Sequence, residues 1–87
     1  MMRFVEQPVS VEARFEADGT ITPLTVLWEG QYWPIESVGR RWEEGDPPHR
    51  RRCFLVMLPT RCTLELKLDT ATLRWTVTRV WEQPLMV

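Results

Sequence analysis

Apolar and polar residues alternate along most of this chain, the period of half-buried β-strands. In VSVEARFE, Val9, Val11, Ala13 and Phe15 alternate with polar neighbours, and Asp18-Gly19 follows as a strong hairpin signal. A two-residue turn there would set Ala13 opposite Leu24, Val11 opposite Val26 and Val9 opposite Trp28, apolar against apolar on one face. The next reversal falls at Glu29-Gly30. A loop of even length puts Trp33 and Ile35 on the face of Leu24, Val26 and Trp28. An odd loop would bring Tyr32, Pro34 and Glu36 there instead. Because a one-residue slip flips every side chain, the even loop is preferred.

The pattern loosens over ESVGRRWEEGDPPHRRR, residues 36–52, which holds Gly39, Gly45 and Pro47-Pro48. It reads as a bent strand end or short turn around Val38 and Trp42, followed by the longest loop, residues 39–51. Three strands close the chain: CFLVML up to a turn at Pro59-Thr60, CTLELKL up to residues 69–72, and LRWTVTRVW. In the last hairpin Leu64, Leu66 and Leu68 face inward with Leu73, Trp75 and Val77, while Glu65, Lys67, Arg74 and Thr76 face out. Val77 and Val80 are three apart, so burying both requires a bulge near Arg79. CFLVML is apolar on both faces. A two-residue turn at Pro59-Thr60 places Cys53, Leu55 and Met57 in the core and leaves Phe54, Val56 and Leu58 as an outer apolar stripe.

These elements predict an all-β domain, a small six-stranded antiparallel meander, barrel-like or strongly curled, with strands near 9–16, 21–28, 32–38, 52–58, 62–68 and 73–81. Barrel closure would remove sheet edges that otherwise need protection. The 87 residues make a single domain, and 44% hydrophobic with 26% charged residues is an ordinary globular composition. The longest apolar run, residues 54–58, is too short to span a bilayer. MMRFVEQP holds no apolar stretch of secretory length, so the expected address is cytoplasmic, without a membrane partner. Two cysteines are too few for a disulfide framework and read as reduced core residues. Five tryptophans suit a small core, since each ring buries a large area.

Charge is uneven. Residues 1–49 carry four arginines against nine acids, whereas residues 50–81 carry seven cations against Glu65 and Asp69. Ten of the eleven cations are arginine, the side chain suited to bidentate phosphate contacts.

Trp28-x-Gly30, then Ile35, Val38 and Trp42, followed by Arg52-Cys53-Phe54-x-Val56, Leu64-Glu65-Leu66 and Trp75-x-Val77-x-Arg79-Val80-Trp81, resemble a small bacterial family of unknown function. Its members tend to show a W-R-G-R-x-Y-x-V-x-x-V…W core and a closing W-x-L-x-R-V. Some are encoded beside, or fused to, proteins of the error-prone DNA polymerase mutagenesis cassette. The resemblance spans roughly residues 24–82 and implies a DNA-repair setting without a catalytic role. The family's W-R-G-R is Trp28-Glu29-Gly30-Gln31 here, which removes two positive charges from that hairpin tip.

Candidate chemistry is sparse. One histidine, His49, and two serines, Ser10 and Ser37, stand without an orienting partner, so no catalytic residues are expected and the protein reads as non-enzymatic. His49, Cys53 and Cys62 match no closed zinc spacing, so neither a metal nor another cofactor is expected. The strongest functional feature is His49-Arg50-Arg51-Arg52 with Arg40 and Arg41 nearby and Trp42 between the clusters. Guanidinium groups contact phosphates and an exposed indole stacks on a base, so these six residues, Arg40 to Trp42 and Arg50 to Arg52, form the candidate single-strand nucleic-acid site. The opposing reading has Arg50, Arg51 and Arg52 neutralised by Glu43, Glu44 and Asp46. A second reading makes the stripe Phe54, Val56 and Leu58 a protein interface, serving a DNA-repair partner or a homodimer unless Val38 and Trp42 cover it. The tail EQPLMV, residues 82–87, bears a weak likeness to glutamine-plus-hydrophobic peptides that dock on replication sliding clamps, though Pro84 and Val87 fit poorly. A tail packed against the barrel is the preferred expectation.

Overall fold

Eight β-strands and no helix make up residues 1–82, the part of the chain described by the computed structural model. They are β1 (Met2–Val9), β2 (Val11–Phe15), β3 (Ile21–Trp28), β4 (Gln31–Pro34), β5 (Ser37–Glu44), β6 (Arg51–Met57), β7 (Cys62–Asp69) and β8 (Arg74–Glu82). A five-stranded antiparallel sheet in the order β1-β8-β7-β6-β5 packs against a three-stranded one in the order β2-β3-β4. The all-β class is as expected; in place of one six-stranded meander, barrel-like or strongly curled, the described residues form eight strands in two sheets and no closed barrel. Two segments account for the difference. Residues 2–15 and 31–44 each run through both sheets and bend between them. At the second bend the Ile35 N–H donates to Leu24 O of the small sheet (2.8 Å). The next N–H, of Glu36, donates to Met57 O of the large one (2.8 Å).

Each of the five hairpins turns through at least one residue with positive φ, and these turns set the registers. At Glu29 (φ 51°) and Gly30 (φ 81°) the loop has two residues, pairing Trp28 with Gln31 and Val26 with Trp33. This is the preferred even loop, and it puts Trp33 on the face of Val26 and Trp28. The Asp18-Gly19 hairpin forms, but as a three-residue loop. Glu16 N–H donates to Thr20 O (2.8 Å), Gly19 N–H donates to Glu16 O (3.0 Å), and Gly19 sits at φ 91°. The extra residue is removed by a bulge at Leu24, between the pairs Ala13–Pro23 and Glu12–Thr25. Val11 therefore still meets Val26, while Pro23 is buried and Leu24 turns outward. Val9 lies beyond the first bend and pairs with Trp75 rather than Trp28.

The turn at Pro59-Thr60 overturns a second expectation. Leu58 N–H donates to Cys62 O (2.8 Å) and Arg61 takes φ 60°, giving three loop residues instead of two. The slip by one residue flips β6 over. Phe54 pairs with Leu66 and Val56 with Leu64, and Phe54, Val56 and Leu58 are core residues no more than 3% exposed. The proposed interface stripe is thus the inside of the protein. Leu55 is half-buried and Met57 exposed on the opposite face. In the last hairpin the loop is residues 70–73, one later than expected, with Leu73 exposed at φ 60°. The displacement is even in register, so Leu64, Leu66, Leu68, Trp75 and Val77 keep their inward face. Val77 and Val80 are both fully buried, and the bulge between them falls at Thr78.

The expected loop at residues 39–51 is mostly strand. β5 continues to Glu44 and carries Trp42 opposite Cys53. A bulge at Gly39-Arg40, two residues against Leu55, disguises its alternation. The edge strand β1 was absent from the sequence pattern because most of it is exposed on both faces. The expectation for the apolar tail concerns residues 83–87, outside the described residues.

Phe54→Ala should lower the urea midpoint by the equivalent of about 3–5 kcal/mol, the cost of an emptied aromatic site in a core. An unchanged midpoint would return Phe54 to the surface.

Candidate nucleic-acid interface

The residues of a β-strand point alternately to its two faces, so the candidate arginines divide when β5 and β6 pair. Arg40, Trp42, Glu44 and Arg51 lie on the outer face of the large sheet, while Arg41, Glu43 and Arg52 lie on the side of the small sheet. Arg41 donates to Ile21 O and Arg52 to Gly19 O (2.7 Å), which ties the Asp18-Gly19 hairpin to the β5–β6 edge. Between them a cleft of about 410 Å³ opens between the sheets, floored by Ile21 and Phe54. Arg50 lies in the β5–β6 turn, where its carbonyl accepts from the Thr70 N–H (3.0 Å) and hydroxyl (2.8 Å). His49 Nδ1 sits 3.1 Å from Asp69 Oδ2 in the same contact.

The six residues therefore do not converge on one surface. Arg50 and Arg52 approach Glu43 at 3.8 and 3.5 Å, and Arg51 approaches Glu44 at 4.0 Å. These cross-strand pairs cancel much of the field that the sequence cluster implied, though pairs so exposed contribute little to stability. Asp46, the third expected partner, forms no such pair among the described residues.

The outer face of the large sheet brings other residues together. Rows across the strands align Met2, Trp81, Thr63 and Met57, then Phe4, Arg79, Glu65 and Leu55, then Thr76, Lys67, Cys53 and Trp42. Guanidinium groups lie on aromatic rings at two places, Arg40 over Trp42 and Arg79 over Phe4, each 5.0 Å from the ring centroid. Between Trp42 and Trp81 lies a hollow of about 320 Å³ walled by Arg40, Glu44, Leu55, Glu65, Lys67 and Arg79. Its floor is an ion network. Glu65, only 6% exposed, accepts from the Thr78 hydroxyl (2.7 Å) and stands 3.6 Å from Arg79 Nε and 3.9 Å from Lys67 Nζ. Lys67 also donates to Glu44, whose other oxygen faces Trp42 Nε1 (3.4 Å).

Of the six candidates, Arg40, Trp42 and Arg51 thus stand on this face, and Trp42 is half-buried there beside its strand partner Cys53 rather than a lid on the core. Phe4, Glu65, Lys67, Thr78, Arg79 and Trp81 were missed. The Val77–Val80 spacing carried the signal for three of them, because a bulge at Thr78 turns Arg79 and Trp81 to the outer face. Phe4 had no such signal, being on a strand without alternation.

Cys53 belongs to the outer face and Cys62 to the inner, so the sheet separates the thiols. Among the described residues no three His, Cys, Asp or Glu side chains are grouped to hold a metal. No family model, curated protein or solved structure matches the chain.

Burial pushes the Cys53 and Cys62 thiols up to about 11. In the folded protein at pH 8 both should resist a thiol-reactive disulfide reagent and become reactive together on unfolding. Immediate reaction of either would contradict the packing. The hydrogen bond from Lys67, larger than the opposing effect of burial, holds the Glu44 carboxyl below its usual range. A lowered carboxyl stabilises the fold above its unfolded pKa, and that contribution is lost as pH falls through the folded value. Melting temperature should therefore fall from pH 6 toward pH 3 less steeply in Glu44→Gln than in the wild type. Parallel curves would remove Glu44 from the linkage.

Proposed function

We propose that the protein is a small non-enzymatic binding module whose outer β-sheet face takes single-stranded nucleic acid in a bacterial DNA-repair or damage-tolerance setting. The observation that carries this reading is the interleaving of rings and guanidinium groups across one sheet face: Arg40 on Trp42, Arg79 on Phe4, and Trp81 beyond the hollow. Bases stack on indole and phenyl faces whatever their identity, and the arginine that lies on a ring yields that face to a base and meets the neighbouring phosphate. Strands lie roughly 4.8 Å apart, so the distance across the sheet from Trp42 on β5 to Phe4 on β1 is about 19 Å, the reach of a few extended nucleotides.

Charge supports a single strand more than a duplex. Around the hollow, Arg40, Lys67 and Arg79 face Glu44 and Glu65, a small positive excess. Weak phosphate attraction leaves stacking as the main source of affinity, and stacking needs unpaired bases. The motif resemblance to neighbours of a mutagenesis polymerase agrees with the same class of ligand. The adaptor or homodimer reading rested on Phe54, Val56 and Leu58, and their place in the core leaves it without a surface.

Fluorescence anisotropy with a labelled single-stranded oligonucleotide at low salt should show binding that weakens as salt rises. Trp42→Ala and Trp81→Ala should each weaken it about tenfold, in keeping with stacking of about 1–3 kcal/mol per base. Arg40→Ala should flatten the salt dependence by about one phosphate contact. No binding at low salt would overturn the proposal.

A further inference from the structure

Glu65 is the unexpected group on this face. It is a carboxylate with a side chain 8% exposed, at the bottom of a hollow between two indoles. Its two oxygens are used unequally. The Thr78 hydroxyl donates to Oε1, and Arg79 Nε and Lys67 Nζ lie closest to that same atom. Oε2 accepts no hydrogen bond among the described residues. Yet no buried side-chain nitrogen or oxygen there lacks a partner, so Oε2 is not sealed in the protein and opens on the hollow that Glu65 helps to wall.

An ionised carboxylate only accepts hydrogen bonds, and one kept from bulk water favours any ligand that supplies a donor. Arg40, Lys67 and Arg79 surround it, so a cationic donor would meet three positive charges. A neutral exocyclic amino group on a flat ring fits both the charge and the flanking indoles, whereas the ring N–H of thymine or uracil lies between two carbonyl oxygens that the carboxylate repels.

We propose that the hollow between Trp42 and Trp81 is a base-selecting subsite in which Glu65 Oε2 accepts from the exocyclic amino group of cytosine, adenine or guanine and disfavours thymine and uracil. This rests on the nucleic-acid reading above. Thymine and uracil carry a carbonyl oxygen where cytosine carries its amino group. That oxygen would face the carboxylate, so the contact turns from a charge-assisted hydrogen bond into repulsion. A site built around one polar partner rejects the analogue that lacks it more strongly than an apolar pocket rejects a change of size.

Oligo(dC) and oligo(dT) of equal length isolate this difference, since both are pyrimidines and Trp stacking tolerates either. Wild-type protein at low salt should bind oligo(dC) at least about tenfold more tightly, the range of one hydrogen bond to a charged group. An oligonucleotide of N4,N4-dimethylcytosine, which has no amino hydrogen, should bind like oligo(dT) and needs no variant protein. In Glu65→Gln the amide can donate to the thymine carbonyl, so the dC preference should fall within about twofold, with a retained strand spectrum confirming the fold. Equal wild-type affinity for dC and dT would overturn the selection while leaving the nucleic-acid interface intact. A dC preference that survives in folded Glu65→Gln would overturn the assignment to Glu65. Binding to neither oligonucleotide at low salt would overturn both proposals.

Discussion

The pairing of β6 with β7 through the turn at residues 59–61 is the constraint on which the two faces of the large sheet depend. Arg61 in the left-handed region adds a third loop residue, and this sets Leu58 against Cys62, Val56 against Leu64 and Phe54 against Leu66. With β7 in the middle of the five-stranded sheet, that register delivers a continuous apolar layer to the small sheet. The left-handed conformation costs a non-glycine residue about 1–2 kcal/mol. Turning Phe54, Val56 and Leu58 inward in place of Cys53, Leu55 and Met57 puts a large aromatic ring in the core, which offsets that strain.

The outer face follows from the same choice. Once Phe54 and Val56 turn inward, Cys53 and Leu55 turn outward, Cys53 beside Trp42 and Leu55 in the wall of the hollow. Two bulges then aim the charged residues. The one at Gly39-Arg40 turns Arg40 onto Trp42, and the one at Thr78 lets Val77 and Val80 both reach the core while Arg79 and Trp81 point out. Bulges spend one residue to re-aim a strand, and here both sit beside the same concavity.

An ion network in the middle of an aromatic surface is costly to build. Glu65 and Lys67 lose water, and their attraction offsets that loss only because Thr78, Glu44 and Arg79 complete the contacts. An all-apolar face in the same position would be cheaper to fold, and it would also be a sheet surface prone to association. Polar partners between the rings break up what would otherwise be a continuous apolar face.

The hydrophobic alternation of this chain was enough to establish an all-β protein, the positions of four of its five hairpins, the inward faces of Trp28, Trp33, Leu64, Leu66 and Leu68, and the bulge between Val77 and Val80. Each of these rests on neighbours in sequence, where a period of two and a turn residue carry the information locally. The face of β6 was not legible, because CFLVML is apolar on both sides and nothing in its letters announces that Arg61 will take positive φ. The run of arginines misled for a related reason: adjacency along a strand means opposite faces, and pairing with Glu43 and Glu44 across β5 divided the cluster further. Which side of β6 became core, and which aromatics and cations therefore meet outside it, was decided by the registers of distant strands, since only their packing distinguishes two faces that the sequence makes equally apolar.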